Sequence, residues 1–163
     1  MYDDIFELLL HTLEPLAHVS QDPKFHPEGD ALFHSLQTFD LALGAREPPH
    51  LVAAALFHDI GKGSTEGRHE DVGAALLGTI ADDRTCFLVG RHMDLLRDAP
   101  GTRRLMRGDT ELLDELERLR DYDDRGRRPQ AHVTSLERAL GWLLEPGVAE
   151  HWLHPSHCLE DEA

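Results

Sequence analysis

Apolar positions repeat at helical spacing along most of this chain. Ile5, Leu9, Leu13 and Leu16 share one face of a first helix. Pro15 disturbs that helix, because its ring removes a backbone donor and crowds the preceding turn. Pro23, Pro27 and Gly29 mark the loop that follows. Leu32, Leu36, Phe39 and Leu43 then recur at offsets of four, three and four, a helical stripe. Gly44 and Pro48-Pro49 break the chain, and residues 51–57 contain no polar side chain. That run predicts a central helix buried on most of its surface. Gly61, Gly63 and Gly67 predict a short flexible loop. Val72, Leu76 and Ile80 mark a further helix, and another runs from about Thr85 toward Leu96. Beyond Pro100-Gly101, Leu112, Leu113, Leu116 and Leu119 line an amphipathic helix, with Asp114 and Arg118 placed for an i,i+4 pair. Val133, Leu136, Leu140 and Leu143 form the last. With no alternating strand pattern, the expectation is an all-α single domain of about seven helices around a central buried helix. It occupies residues 1–145, with 146–163 as a C-terminal tail.

Chemistry enters where the buried run ends. His58 and Asp59 follow it directly, inside Phe57-His58-Asp59-Ile60-Gly61-Lys62-Gly63. Desolvating a lone carboxylate costs several kcal/mol, so a buried Asp59 wants a cation. A divalent metal bound by both residues is the simplest one. His34 lies two residues from both Leu32 and Leu36, about 200° around the helix from the apolar stripe. A histidine that only filled the core would sit on the stripe. His69 shares a face with Gly73, Leu76 and Ile80, and His92 follows the apolar run Phe87-Leu88-Val89 and Gly90. Asp123 stands at the C-terminal end of the 112–119 helix, where the helix dipole disfavours a negative charge by up to about 1 kcal/mol. A metal would compensate it. Imidazoles and shared carboxylates suit Mn, Fe, Ni, Co or Zn better than Ca, which prefers all-oxygen shells.

The order His…His-Asp…Asp on helices resembles the HD-domain superfamily of metal-dependent phosphohydrolases. The likeness is strongest to the C-terminal HD domain of bacterial CCA-adding tRNA nucleotidyltransferases. It is carried by His26-Pro27-Glu28-Gly29-Asp30 with His34, by Phe57 to Gly63, by His69-x-x-x-Gly73, by Arg91-His92, and by Tyr122-Asp123-Asp124-Arg125-Gly126-Arg127. It covers roughly residues 22 to 128. The resemblance implies that His34, His58, Asp59 and Asp123 hold a first metal. It also implies that Asp59 bridges to a second ion on His69 and His92, and that Lys62 neutralises a substrate phosphate. Asp121 and Asp124 compete with Asp123, which best fits the Arg-Gly-Arg spacing. The chain begins almost where the HD domain begins, so nucleotide addition to tRNA is not expected. The loop between Lys62 and His69 is short and lacks the family's additional histidine, which bears on the second metal and on tRNA-related substrates.

Charge narrows the partners. With 16 basic and 31 acidic residues the formal charge is −15, which argues against non-specific binding to nucleic acid or anionic membranes. Arg103-Arg104, Arg107 and the 125–128 cluster leave room for a small phosphorylated, nucleotide-like ligand. Cys86 and Cys158 form no Cys-x-x-Cys pattern and require no disulfide. An acidic start without signal-peptide blocks, and no apolar stretch of membrane-spanning length, make cytoplasmic the expected location.

The expected function is therefore a metal-dependent phosphohydrolase. One or two divalent ions would generate a metal-bound hydroxide that attacks a small phosphate ester, nucleotide or cyclic phosphate. Asp59 would bind metal and orient the nucleophile, with Lys62 on the transferring oxygens. The alternative is a non-catalytic regulatory domain binding a nucleotide or a metal in the same pocket. At single positions, His69 and His92 have the alternative of satisfied core histidines, and Lys62 that of a solvated side chain. His26 reads as a loop-packing residue. His151, His154, His157 and Cys158 read as a solvated tail rather than a second metal cluster, since Pro155 interrupts their helical spacing.

Overall fold

Capping side chains and prolines set most of the helix boundaries. In the computed structural model, which describes residues 2–64 and 68–158, α1 (Asp3–Leu13) gives way at Pro15 to a 3-10 turn, Glu14–His18. Asp30 caps α2 (Ala31–Gly44) by accepting from Phe33 N at 2.8 Å, and Pro49 opens α3 (Pro49–Phe57). Pro suits the first helical turn, where its missing N–H is not needed. After a 3-10 turn at Ile60–Gly63 come α4 (His69–Leu77) and α5 (Asp83–Arg91), the latter capped by Asp82. Next follow α6 (Asp94–Leu105), α7 (Thr110–Arg125) and α8 (Leu136–Leu143). The fold is all-α, as expected. Among the described residues extended pairing is limited to two isolated bridges, Ser20 with Asp30 and Ala81 with Leu153.

All of residues 51–57 are fully buried, and α3 packs against α2, α5 and α7. A buried Glu115 ties three of these helices together. It accepts from His50 of α3 and from Arg84 of α5, each at 2.8 Å. The two helices that present His58 and Asp123 are thereby held in fixed relation.

Several details differ from the sequence reading. The helix expected from Thr85 toward Leu96 is two helices, because His92 and Met93 turn the chain between α5 and α6. Pro100-Gly101, beyond which the next helix was expected, itself lies within a helix, α6. There Asp98 leaves helical geometry and its carboxylate accepts from Gly101 N at 3.0 Å, restarting the helix with Pro100 in its first turn. In α4 the inward face carries Gly73 and Leu77, while Leu76 is exposed, because α5 packs on the Gly73–Ala74 side. Finally, the segment expected as a solvated tail packs into the core through Ala149, Trp152 and Leu153. Residues 152–154 zip onto 80–82 through Asp82 N to Trp152 O and His154 N to Ile80 O, both 2.8 Å.

Candidate metal centre

His58 is the first residue past α3, and Asp59 leads into the 3-10 turn that docks on α4. That docking requires glycine. A Cβ at Gly61 would stand 2.0 Å from the His69 carbonyl oxygen and 2.8 Å from Gly73 N. The turn is therefore not the flexible loop expected from Gly61 and Gly63: Gly61 is buried and Gly63 belongs to the same turn. Gly67 falls outside the described residues.

Two rings are aimed by the helix ends they follow. His58 Nδ1–H donates to the Ala55 carbonyl at 2.9 Å, and His92 Nδ1–H to the Val89 carbonyl at 2.7 Å. Each thereby satisfies a carbonyl left over in a last helical turn and turns a bare Nε2 toward the site. His34, on the first turn of α2, directs Nδ1 to the Gly126 carbonyl at 2.8 Å and to Glu28 Oε1 at 3.0 Å. Gly126 permits this approach, since a Cβ there would lie 2.8 Å from Thr38 Oγ1.

The structure brings all six candidate ligands together. His34 Nε2 lies 3.2 Å from His58 Nε2 and 3.0 Å from Asp123 Oδ1. His69 Nε2 lies 3.2 Å from His92 Nε2 and 3.0 Å from Asp59 Oδ1. Asp59 stands between the two sets. Its Oδ1 faces His69 and His92, while Oδ2 lies 3.5 Å from His58 Nε2 and 4.0 Å from His34 Nε2. Within His34, His58 and Asp123, and within Asp59, His69 and His92, one donor atom per residue falls within 4.8 Å of the others. Asp123 is buried, whereas Asp121 and Asp124 are exposed and paired with Arg125 and Arg120, which decides the register.

The electrostatics fit a cation. Burial pushes the His58 imidazole down to about 3, so it is a neutral donor. Burial alone would raise Asp59, but the His69 ring at 3.0 Å and the Lys62 ammonium at 2.6 Å hold it well below the usual carboxylate range. Asp123 is likewise raised by burial and lowered further by His34. His34 is lowered by burial, but Asp123, Glu28 and Asp59 outweigh this and lift it to about 9. His34 and Lys62 thus supply the positive charge beside Asp123 and Asp59, and a divalent ion would replace both. Buried, bare imidazole nitrogens beside two ionised carboxylates form the donor set that Mn, Fe, Ni, Co or Zn accepts.

Lys62 Nζ lies 2.6 Å from both Asp59 Oδ2 and Gln21 Oε1. The cluster floors a cavity of about 340 Å³ that Lys62, Arg120 and Arg127 line, with Phe25, Met93 and Leu96 opposite in chemistry. Arg120 and Arg127 also reach Asp123, at 2.8 and 3.1 Å. Sequence reasoning missed Arg120 and gave Glu28 no role, although Glu28 stands inside a quoted motif. His26, read as loop packing, lines the cavity and donates Nδ1–H to Glu28 at 2.9 Å. In the C-terminal segment His151 pairs with Glu150, His154 with Ser156, and His157 with the Thr79 carbonyl. None of these histidines belongs to a potential metal cluster among the described residues, and Cys86 and Cys158 are free thiols.

Known proteins match parts of this chain. A Multifunctional CCA protein of Methylococcus capsulatus is 33% identical over 131 residues, covering 71% of this chain and 30% of its own length. One from Verminephrobacter eiseniae is 39% identical over 83 residues, 47% of this chain and 20% of that protein. One from Cupriavidus taiwanensis is 44% identical over 57 residues, 35% of this chain and 14% of that protein. The chain thus spans less than a third of the length of these relatives. Among the described residues no helix is long and apolar enough to cross a membrane. A family model described as HD domain matches residues 32–127, more than half of the chain and the stretch that holds His34, His58, Asp59, His69, His92 and Asp123, so the chain belongs to the HD-domain superfamily of metal-dependent phosphohydrolases.

Proposed function

We propose that this protein is a metal-dependent phosphohydrolase acting on a small phosphate ester, nucleotide or cyclic phosphate. The observation that carries the reading is Asp59, with one oxygen toward each histidine pair, at the floor of a cavity walled by Lys62, Arg120 and Arg127. His34, His58, Asp59 and Asp123 would hold a first ion, and His69 and His92, together with Asp59, a second. A divalent ion bound there supplies Lewis acidity and lowers the pKa of water from about 15.7 toward about 7. Asp59 orients the attacking water toward phosphorus. Lys62 and Arg127 take the phosphoryl oxygens, where fixed positive charge counts most as negative charge grows in the transition state. Phe25 and Leu96, both exposed at the cavity, offer an apolar edge to the organic part of the substrate. A net charge of −15 favours small substrates over polynucleotides.

The test is a comparison after chelator treatment and reloading with Mn²⁺, Co²⁺ or Zn²⁺. Phosphate release would be followed from a phosphomonoester, a phosphodiester, a nucleotide panel and a 2′,3′-cyclic nucleotide. Turnover should require the metal and vanish in Asp59→Ala together with metal binding. Tight nucleotide binding with no turnover under any metal would sink the enzyme and favour a sensor.

A further inference from the structure

Among the described residues Glu28 is a buried carboxylate whose ion-pair partners are two imidazoles and no lysine or arginine. Its side chain is fully buried, Oε1 lies 3.0 Å from His34 Nδ1 and 2.9 Å from His26 Nδ1, and Oε2 has no hydrogen-bond partner. A buried charge of this kind is costly unless opposite charge is near. The segment that carries it is pinned at both ends, by Gln21 N to Gly29 O at 3.2 Å and by Ala31 N to Val19 O at 3.1 Å. Gly29 turns the chain between them at φ +109°, in the region that favours glycine. Glu28 is thus delivered to His34 by a closed, glycine-dependent turn.

The four ligand imidazoles are not equivalent: His34 Nδ1 has a carboxylate at hydrogen-bond distance, Glu28 at 3.0 Å, whereas His69 Nδ1 stands 3.7 Å from Glu70 Oε2. His58 and His92 donate to neutral backbone carbonyls, whereas His34 meets a full negative charge as well as the Gly126 carbonyl. A carboxylate on the far nitrogen of an imidazole fixes the ring and makes the near nitrogen a stronger donor to a metal.

We propose that Glu28 is a positioning residue that orients His34 and strengthens it as a ligand, so that the His34–His58–Asp123 site outranks the Asp59–His69–His92 site in affinity. This rests on the metal-binding reading above. Loss of such a partner lowers metal affinity by about 10- to 100-fold.

The experiment titrates metal-free protein with Co²⁺, followed by visible absorption and calorimetry, for wild type, Glu28→Gln and Glu28→Ala. Glu28→Gln keeps shape and a hydrogen-bond acceptor but removes the charge. It should weaken the first equivalent of Co²⁺ by about tenfold and leave the second unchanged, with Glu28→Ala weakening the first further. Melting of the metal-free proteins checks folding, and Glu28→Gln serves if Glu28→Ala fails to fold. Wild-type affinity in a folded Glu28→Gln protein overturns the proposal, as does equal weakening of both equivalents, which marks a merely structural residue. A wild type that binds no Co²⁺ overturns the metal reading and this proposal with it.

Discussion

At the scale of single residues, Gly61 shows how little latitude the site has. With the His69 carbonyl 2.0 Å from its absent Cβ, an added methyl meets backbone on a helix, which cannot swing aside as a side-chain tip can. Gly61→Ala should cost at or beyond the upper end of the roughly 1–3 kcal/mol typical of overpacking. It should also part Asp59 from His69, since the same turn fixes both. Urea unfolding and a Co²⁺ titration read the two effects separately, and a melt within about 0.5 kcal/mol of wild type would refute the contact. Spacing and burial cost marked His34, His69 and Asp123 as candidates beside His58-Asp59, and the resemblance to HD domains joined them with His92 into two ligand sets. Asp123 could have been chosen over Asp121 and Asp124 by register alone, because it lies four and seven residues after the buried Leu119 and Leu116. Arg120 was not legible. Its part in the site comes from facing a cavity built by distant segments, and its local pattern is that of an ordinary helix-surface ion pair.

At the scale of elements, the caps decide how firmly ligands are presented. His34 lies in the first turn of α2, and the Asp30 side chain satisfies a backbone donor there at 2.8 Å. Asp30→Ala should cost about 1 kcal/mol, the usual loss for an N-cap, and should loosen His34 as the first turn frays. Ser135 caps α8 in the same way at 3.3 Å, on a helix with no candidate ligand. Ser135→Ala should therefore lower stability without touching Co²⁺ affinity, and equal effects of the two substitutions on the metal would refute the link. Helix count came out close from periodicity because most apolar stripes here are unambiguous. The α5–α6 region did not. Its turn falls at His92 and Met93, and neither residue is a glycine or proline, so the apolar pattern runs through the break. In α4 the face was misjudged at Leu76, since a helix of nine residues leaves its orientation to its neighbours rather than to its own sequence.

At the scale of the whole molecule, the C-terminal segment closes the core behind the metal centre. The polar residues His151, His154, His157 and Cys158 have the pattern of a solvated tail, yet the apolar pair Trp152-Leu153 between them is what the fold uses. Trp152 is fully buried, its ring centroid is 5.5 Å from that of Phe57, and its Nε1–H donates to the Leu143 carbonyl at 2.7 Å. Phe57 immediately precedes His58, so the indole supports the helix end that aims the first metal-site histidine. Trp152→Ala should cost roughly 3–5 kcal/mol, the range for a large aromatic removed from a packed interior. Against a total of about 5–15 kcal/mol for a domain, that is roughly a fifth or more of the stability. Trp152→Phe keeps part of the packing but loses the volume of the fused ring and the hydrogen bond to Leu143, so it should cost less, about 1–3 kcal/mol. Urea unfolding of the three proteins, each with and without Co²⁺, separates a global loss from a local one. A solvated tail would show changes of no more than about 0.5 kcal/mol for both substitutions, and that outcome would detach the segment from the core.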